Sequence, residues 1–514
     1  GGTGLDEGRM RPMIEVEDKF RVHADFELPV VNANGGPVAV VSAPRASTLT
    51  AAYFDTEDLR LARAGITMRH RAGDGKSGWQ LKLPVTGERA GVREELHEDG
   101  PPGTPPQRLR DLVTAYVRSA ELAERAMLRT ERTTYDLYGA DGALLVEMVD
   151  DRVDALTADH HAARFREIEV EDRGGGSGVL DHVGSLLREA GAVAGEFEPK
   201  VVRALGPRAT APPQPPRPEA ATNRDPARVL VAAVLREHVR ALIDHDPWVR
   251  LGTDDAVHQM RVSARRLRSA LRDLAPLMDQ AWAEQVTVEL RWLGEALSGS
   301  RDTEVIEGRL LDALEGLDPQ VRSGRAQTIL RGMLAAQAAD GAGAAEAALG
   351  SDRYRALIEN LIDAATHPRT TDLANRPSVE VLPALVTASW RRLAKRARAA
   401  CAEGASAEDF HRTRIAAKRM RYLSESLVSI YGKPAKTFAR KVEQLQIILG
   451  LHQDAVLAGA VLRRAAEQPR VGRAAFTFGV MHANEEAAAQ RERQRFRELW
   501  PDVARGRRRR WFAG

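Results

Sequence analysis

Glu15, Glu17 and Lys19 alternate along IEVEDKF (14–20), and Glu167, Glu169 and Glu171 alternate along RFREIEVED (164–172). Side chains two residues apart in an extended chain share a face, so each segment offers a row of carboxylates. Arg69 and Arg71 share a face in the same way in ITMRHR (66–71). Carboxylates are hard oxygen donors suited to Mg²⁺ or Mn²⁺, and Arg or Lys opposite them would hold phosphate oxygens. A metal beside a cationic cradle is the equipment of phosphoryl chemistry. One charged strand is usually a solvated face. Here both signs recur on several strands, which fits an interior lined by acids and bases.

A second constellation occurs twice. HQMRVSARRLR (258–268) and HRTRIAAKRMR (411–421) begin 153 residues apart and share His-x-x-Arg-x-x-x-(Arg/Lys)-Arg-x-Arg. At about 100° per residue, His258, Arg261, Arg265, Arg268 and Arg272 fall within a roughly 80° arc of one helix. His411, Arg414, Lys418 and Arg421 align likewise in the second copy. Like charges at this spacing repel and weaken a helix, so two such helices call for a polyanion between them. The two histidines lack a His or Cys at metal-ligand spacing and read as phosphate donors or helix-start hydrogen-bonding groups.

The elements that must position these groups differ between the halves. Residues 1–226 carry a net charge of −8 and residues 227–514 a net charge of +11. The division falls at GPRATAPPQPPRPEAATNRDP (206–226), which reads as a semi-rigid linker. Before it, strand-like runs cover 14–20, 66–71, 78–85, 132–139, 143–150 and 164–172, with helical patterns near 107–128 and 178–191. Six or more antiparallel strands point to a barrel or curved sheet in an α+β domain. After it, eleven helical stretches rich in Ala, Leu and Arg follow, including 435–449 and 452–467 with a break at Gly450. Each basic helix is followed by a second helical stretch and an aspartate: Asp302 lies 44 residues after His258, and Asp454 lies 43 after His411. That self-similarity predicts a duplicated four-helix unit with pseudo-twofold symmetry. Residues 1–12 read as a disordered leader and 506–514 as a basic tail. No uninterrupted apolar run approaches the roughly 18 residues of a membrane span, and the one cysteine, Cys401, excludes a disulfide framework and points to the cytoplasm.

The first half resembles the CYTH superfamily, the triphosphate tunnel metalloenzymes. The resemblance rests on Glu15-Val-Glu17-Asp-Lys19 followed in order by YFDT (53–56), MRHR (68–71), WQLKLP (79–84), ERTTY (131–135), VEMVDD (146–151), EIEVE (167–171) and EPKVVRAL (198–205). It implies an eight-stranded antiparallel β-barrel over 13–205 whose tunnel binds a triphosphate. It implies that Glu15, Glu17, Asp150, Glu167 and Glu169 hold Mg²⁺ or Mn²⁺, and that Lys19, Arg69, Arg71, Lys82, Arg132, Lys200 and Arg203 hold the phosphates. Lys19 with Glu15 and Glu17 would serve in-line hydrolysis by water. A one-residue shift exchanges Arg129 with Arg132, Asp150 with Asp151 or Glu169 with Glu171, and so depends on strand pairing.

The second half, 227–505, resembles the CHAD domain, which implies an all-α bundle of two four-helix repeats with a basic groove that binds inorganic polyphosphate. Together these imply a metal-dependent triphosphatase, with inorganic tripolyphosphate the simplest substrate. Thiamine triphosphatase, class IV-type adenylate cyclase and a non-catalytic polyphosphate-binding or granule-targeting protein are the alternatives. Nucleic acid is disfavoured because no aromatic stacking platform accompanies the basic helices.

Overall fold

The computed structural model describes residues 13–15, 17–32, 35–73, 77–84, 93–160, 162–194, 199–253 and 255–513, without the side chains of 13–15, 93, 299–305, 337–342 and 513. The chain divides into two compact units, one up to Gln214 and one from Pro215.

The first unit is built on an antiparallel sheet. Its strands are β1 (Met13–Glu15), β2 (Glu17–Val22), β3 (Val40–Val41), β4 (Arg45–Asp55), β5 (Thr67–Ala72), β6 (Gly78–Pro84), β7 (Arg93–Glu98), β8 (Ala123–Tyr138), β9 (Leu144–Thr157), β10 (Ala162–Asp172) and β11 (Val193–Ala194). They run in the order β1-β7-β6-β5-β4-β8-β9-β10-β2-β11, with β3 pairing beside β8. Ten strands thus follow one another instead of the expected eight. One reason is that IEVEDKF is two strands: β1 pairs with β7 and β2 with β10, although a single residue separates them in the chain. β4 and β7 fall outside the expected runs, and 107–128 is not one helix. Only Gln107–Leu112 and Thr114–Val117 are helical, and AERAMLRTER opens the sixteen-residue β8. The Ala, Leu, Glu and Arg of that segment favour a helix locally, but pairing with β4 and β9 on both sides overrides propensity.

The sheet's two faces are chemically different. Phe20, Met148, Ile168 and Val170 pack on the outside against Val183 and Leu187 of α1 (Ser177–Glu189). Val201 and Val202 of α2 (Lys200–Leu205) pack with Ala51, Tyr53, Leu128 and Val153 on the other face. The segment expected to be a free linker begins anchored: Ala209 is buried in that same cluster and Arg63 donates to Pro212 O.

The second unit is helical: α3 (Ala227–Arg250), α4 (Ala256–Asp273), α5 (Gln280–Ala296), α6 (Gly299–Glu315), α7 (Gly324–Gly350), α8 (Asp352–Thr366), α9 (Ser378–Cys401), α10 (Ala407–Ser426), α11 (Lys433–Ala466) and α12 (Ala474–Val503). The segments that lead into α3 and α9 are tied together by hydrogen bonds. Ala227 N donates to Arg376 O and Ser378 N donates to Asp225 O, so the chain entering α3 pairs reciprocally with the chain entering α9. The break expected at Gly450 does not occur, because α11 runs through it. A Cβ at Gly450 would lie 2.6 Å from Arg414 Nη1, so this glycine admits a guanidinium instead of ending a helix. α11 also contains an 18-residue window of mean hydropathy 1.5, as apolar as a membrane span, with 56% of it buried inside the unit.

Candidate active site and the basic helix pair

Strand register gathers the charged rows of the first unit on one side of the sheet. Glu169 stands opposite Lys19, Arg132 opposite Asp151, Glu167 opposite Asp151, Lys82 opposite Glu95 and Arg69 opposite Gln80. Glu17, Lys19, Arg69, Arg71, Lys82, Arg132, Glu169 and Lys200 line one cavity of about 700 Å³. Lys200 Nζ lies 2.9 Å from Asp151, 2.9 Å from Glu167 and 2.7 Å from Glu169. Arg132 forks onto Asp151 at 2.8 and 2.6 Å and reaches Glu169 at 3.2 Å. Lys19 pairs with Glu169 and stands 3.4 Å from Glu17. Arg69 is held by neutral acceptors, donating to Tyr53 Oη at 2.9 Å and Gln80 Oε1 at 2.7 Å.

These contacts set the protonation states. Burial alone would push the Lys19 amine down, but Glu169 and Glu17 hold it above its ordinary value. Burial likewise opposes the charge of Glu169, yet Lys19, Lys200 and Arg132 hold its carboxyl well below the usual range. Tyr53 is pulled down against burial by the adjacent Arg69. Glu171 goes the other way: burial raises it, and the carboxylates of Glu147 and Glu17 add to the effect against Arg173.

In the second unit, α4 and α10 pack together and bring the two copies of the basic phrase side by side. Lys418 is pushed down to about 7 by burial and by Arg265, Arg414 and Arg261, with Asp454 opposing. Among the described residues, the buried Nε atoms of Arg265 and Arg268 have no hydrogen-bond partner.

The CYTH domain profile matches residues 13–190 and the CHAD domain profile matches residues 233–463. An uncharacterized protein of Mycobacterium tuberculosis H37Rv, Rv2226, is 34% identical over 512 residues, covering 94% of each chain. The chain belongs to the CYTH–CHAD proteins. Similar solved structures include PptA from Streptomyces chartreusis (24% identity, 53% of this chain and 98% of that one, TM-score 0.47). Another is the CHAD domain from Ricinus communis (25% identity, 55% and 96%, TM-score 0.42).

Several expected site residues are placed differently in the CYTH unit. Asp150 lies on the outer side of β9, where Arg166 grips it at 2.8 Å through two nitrogens. Its neighbour Asp151 takes the cavity side, because β8 pairs Arg132 with Asp151 and turns Asp150 away. Glu167 sits beneath Lys200 instead of on the cavity wall, and Arg203 stacks on Phe165 at 4.2 Å and reaches Glu167 at 3.7 Å. The backbone of Glu15 lies opposite Arg93, and its side chain falls outside the described residues. Sequence reasoning missed Arg45, Tyr53, Gln80, Glu95, His97, Glu147 and Arg173 on the wall. Glu147 and Asp151 share a face four residues apart, a signal that parity carried once Arg132 fixed the register.

In the CHAD unit, Arg421 is not directed at a groove. It is tied to Glu425 at 2.6 Å and Glu443 at 2.7 Å. His411 Nδ1 meets Gln453 Oε1 at 3.0 Å, while His258 and Arg272 are exposed. Arg392 and Arg419 join the same cluster through Asp273 at 3.0 and 2.6 Å, and Arg291 also acts on Arg268 and Arg272. Asp302 has no described side chain; Asp454 acts on Arg414 and Lys418.

Proposed function

We propose that the CYTH unit is a divalent-metal-dependent triphosphatase, with inorganic tripolyphosphate as its substrate, and that the CHAD unit binds inorganic polyphosphate. The observation that carries the first part is the single cavity of about 700 Å³ walled by Lys19, Arg69, Arg71, Lys82, Arg132 and Lys200. Six cations on one wall outmatch any one carboxylate ligand and suit a chain of phosphates. The family's closed tunnel is part of this proposal.

The residues fit a metal of one kind. Among the described residues no three acidic groups form a ready cage. Glu17 and Glu171 nonetheless face the same cavity, and their charges act on one another. Mg²⁺ is ordinarily held by one or two carboxylates, waters and substrate phosphates, which is what this wall offers. Glu17 and Glu171 would hold it, and when bound it would neutralise phosphate oxygens and raise the electrophilicity of phosphorus. The chain's own groups do the rest. Arg69, Arg71, Lys82 and Arg132 bind and orient the phosphates. Lys19, held charged by Glu169 and Glu17, donates to an oxygen where negative charge grows and does not abstract a proton. A water oxygen attacks the terminal phosphorus, the bridging P–O bond breaks with its electrons on the leaving pyrophosphate, and a carboxylate accepts the water's proton.

Phosphate release from tripolyphosphate, ATP and thiamine triphosphate with Mg²⁺ or Mn²⁺ tests this reading. Asp151→Asn should lower kcat by about 10–100-fold by freeing Arg132 and Lys200 from their orienting partner. Asp150→Asn should leave kcat unchanged. Equal losses in both variants, or no metal-dependent release by the wild type, would sink it.

The observation behind polyphosphate binding is that, among the described residues, the buried Nε donors of Arg265 and Arg268 have no partner, with Arg265 acting on Arg414 and Lys418 and on Arg268. Binding should weaken steeply with salt. Gly450→Ala separates binding from folding. Alanine in a helix interior is worth about 0.5–1 kcal/mol over glycine, so stability should hold or rise. Polyphosphate affinity should fall, because the new Cβ displaces the Arg414 guanidinium. Thermal melts and polyphosphate titrations read the two effects apart.

A further inference from the structure

The terminal RGRRRRWFAG does not behave as a solvated tail. Gly506–Arg509 forms a 3-10 turn and Arg510–Ala513 a helical turn. The basic run divides by direction. Arg508 turns inward, donating to both carboxylate oxygens of Asp502 at 2.9 and 2.7 Å. Arg509 lies 5.0 Å above the Trp390 ring and donates to Ala504 O. Phe512 is 3% exposed, and Trp511 packs edge-on against Tyr431 at 5.1 Å. Arg507 and Arg510, three residues apart and so on one face, remain exposed.

That exposed face borders a cavity of about 590 Å³ between the tail and the start of α11. Its apolar wall is Phe438, Pro434 and Trp511, and its polar groups are Lys433, Thr437, Arg507, Arg508 and Arg510. The nearby acid, Asp502, is already taken up by Arg508, Lys441 and Arg505. The start of α11 adds partial positive charge, since its N-cap, Gly432, offers no side-chain cap. The buried Trp511 Nε1 has no partner among the described residues. Such a pocket combines an aromatic wall, whose Trp511 and Phe438 rings are tilted 60° to one another, with three exposed cations and a hydroxyl. A bare polyphosphate would leave the aromatic wall unused, and an uncharged ring would leave the cations unused.

We propose that this pocket is a mononucleotide-binding site, with the base against Trp511 and the phosphate held by Arg507, Arg510 and Lys433. Rings and phosphate are matched by stacking and by charge-assisted hydrogen bonds. Its volume falls in the range that encloses a ligand of this size. The site shares no residue with the CYTH cavity or with the α4–α10 cluster, so it stands whether or not those readings do.

Calorimetric titration of the full chain with AMP, adenosine and inorganic phosphate tests it. AMP should bind saturably, and adenosine and phosphate each at least about tenfold more weakly, since each lacks half of the match. Arg507→Glu with Arg510→Glu, at two exposed positions, should weaken AMP by about tenfold or more without changing the circular dichroism. Trp511→Phe should keep most of the affinity that Trp511→Ala loses. An Arg69→Ala variant, altered only in the CYTH cavity, should bind AMP as the wild type does. The proposal is overturned by undiminished AMP binding in the double charge reversal, by loss of AMP binding in Arg69→Ala, by phosphate binding as tightly as AMP, or by no saturable AMP binding at all.

Discussion

Replacing Lys200 with methionine should cost the CYTH unit about 3–5 kcal/mol of stability, the usual penalty for removing one partner of a buried ion pair. Lys200 is 9% exposed and touches three carboxylates within 2.9 Å. Without it, Asp151 keeps Arg132, and Glu169 keeps Arg132 and Lys19. Glu167 keeps the more distant Arg203. The pH dependence should invert as well. In the wild type the depressed Glu169 stabilises fully above its unfolded pKa and loses that contribution as acid protonates it. The raised Lys200 stabilises fully below 10.5 and loses its contribution only as pH climbs through its folded value. Stability therefore has a plateau between the carboxylate and lysine ranges. In the variant, a buried carboxylate without its cation has a raised folded pKa, so stability is present at low pH and falls as pH rises through that value. Denaturant unfolding at pH 5 and pH 8 should find the variant more stable at pH 5. Wild-type stability of Lys200→Met at pH 8 would show that the network contributes nothing net.

Why Lys19 and Glu169 were legible in the sequence while Asp151 was not is a matter of parity. Glu-x-Lys, Arg-x-Arg and Glu-x-Glu each state which side chains share a face, and the register honours all three for Glu17 and Lys19, Arg69 and Arg71, and Glu167 and Glu169. VEMVDD contains adjacent acids on opposite faces, and only the pairing of β9 with β8 selects between them. The first half of β8 was illegible for a related reason: its local composition is helical, and its partners β4 and β9 are distant in sequence. In the CHAD unit the duplicated phrase located α4 and α10. Arg291, Arg392 and Arg419 belong to the same charge cluster, yet two of them come from other helices and carry no repeat. Gly450 reads as a break because glycine usually marks one. Its actual role depends on the guanidinium 2.6 Å from a missing Cβ, a contact between helices that no local pattern encodes.

Lys418 should give polyphosphate binding a pH dependence centred near neutrality. Its amine sits among Arg261 and Arg265 of α4 and Arg414 of its own helix, with Asp454 of α11 opposing them. Burial comes first and these cations second in pushing it down to about 7. A polyanion reverses the balance: phosphate oxygens favour the charged amine, so binding above pH 7 should take up a proton. For one proton the affinity should fall by up to about tenfold per pH unit once pH exceeds 7. The unliganded unit should respond with the opposite sign. The folded pKa lies below the unfolded 10.5, so the charged amine destabilises fully below about 7, and that cost fades as pH rises toward 10.5. Rising pH therefore stabilises the free CHAD unit while weakening its grip on polyphosphate. Lys418→Arg keeps the charge and should give a nearly flat affinity profile with lower stability. Lys418→Met should raise stability and bind weakly at every pH. Calorimetry in two buffers of different ionisation enthalpy measures the proton uptake directly. If Lys418→Arg kept the wild-type slope and proton uptake, the titrating group would be another residue.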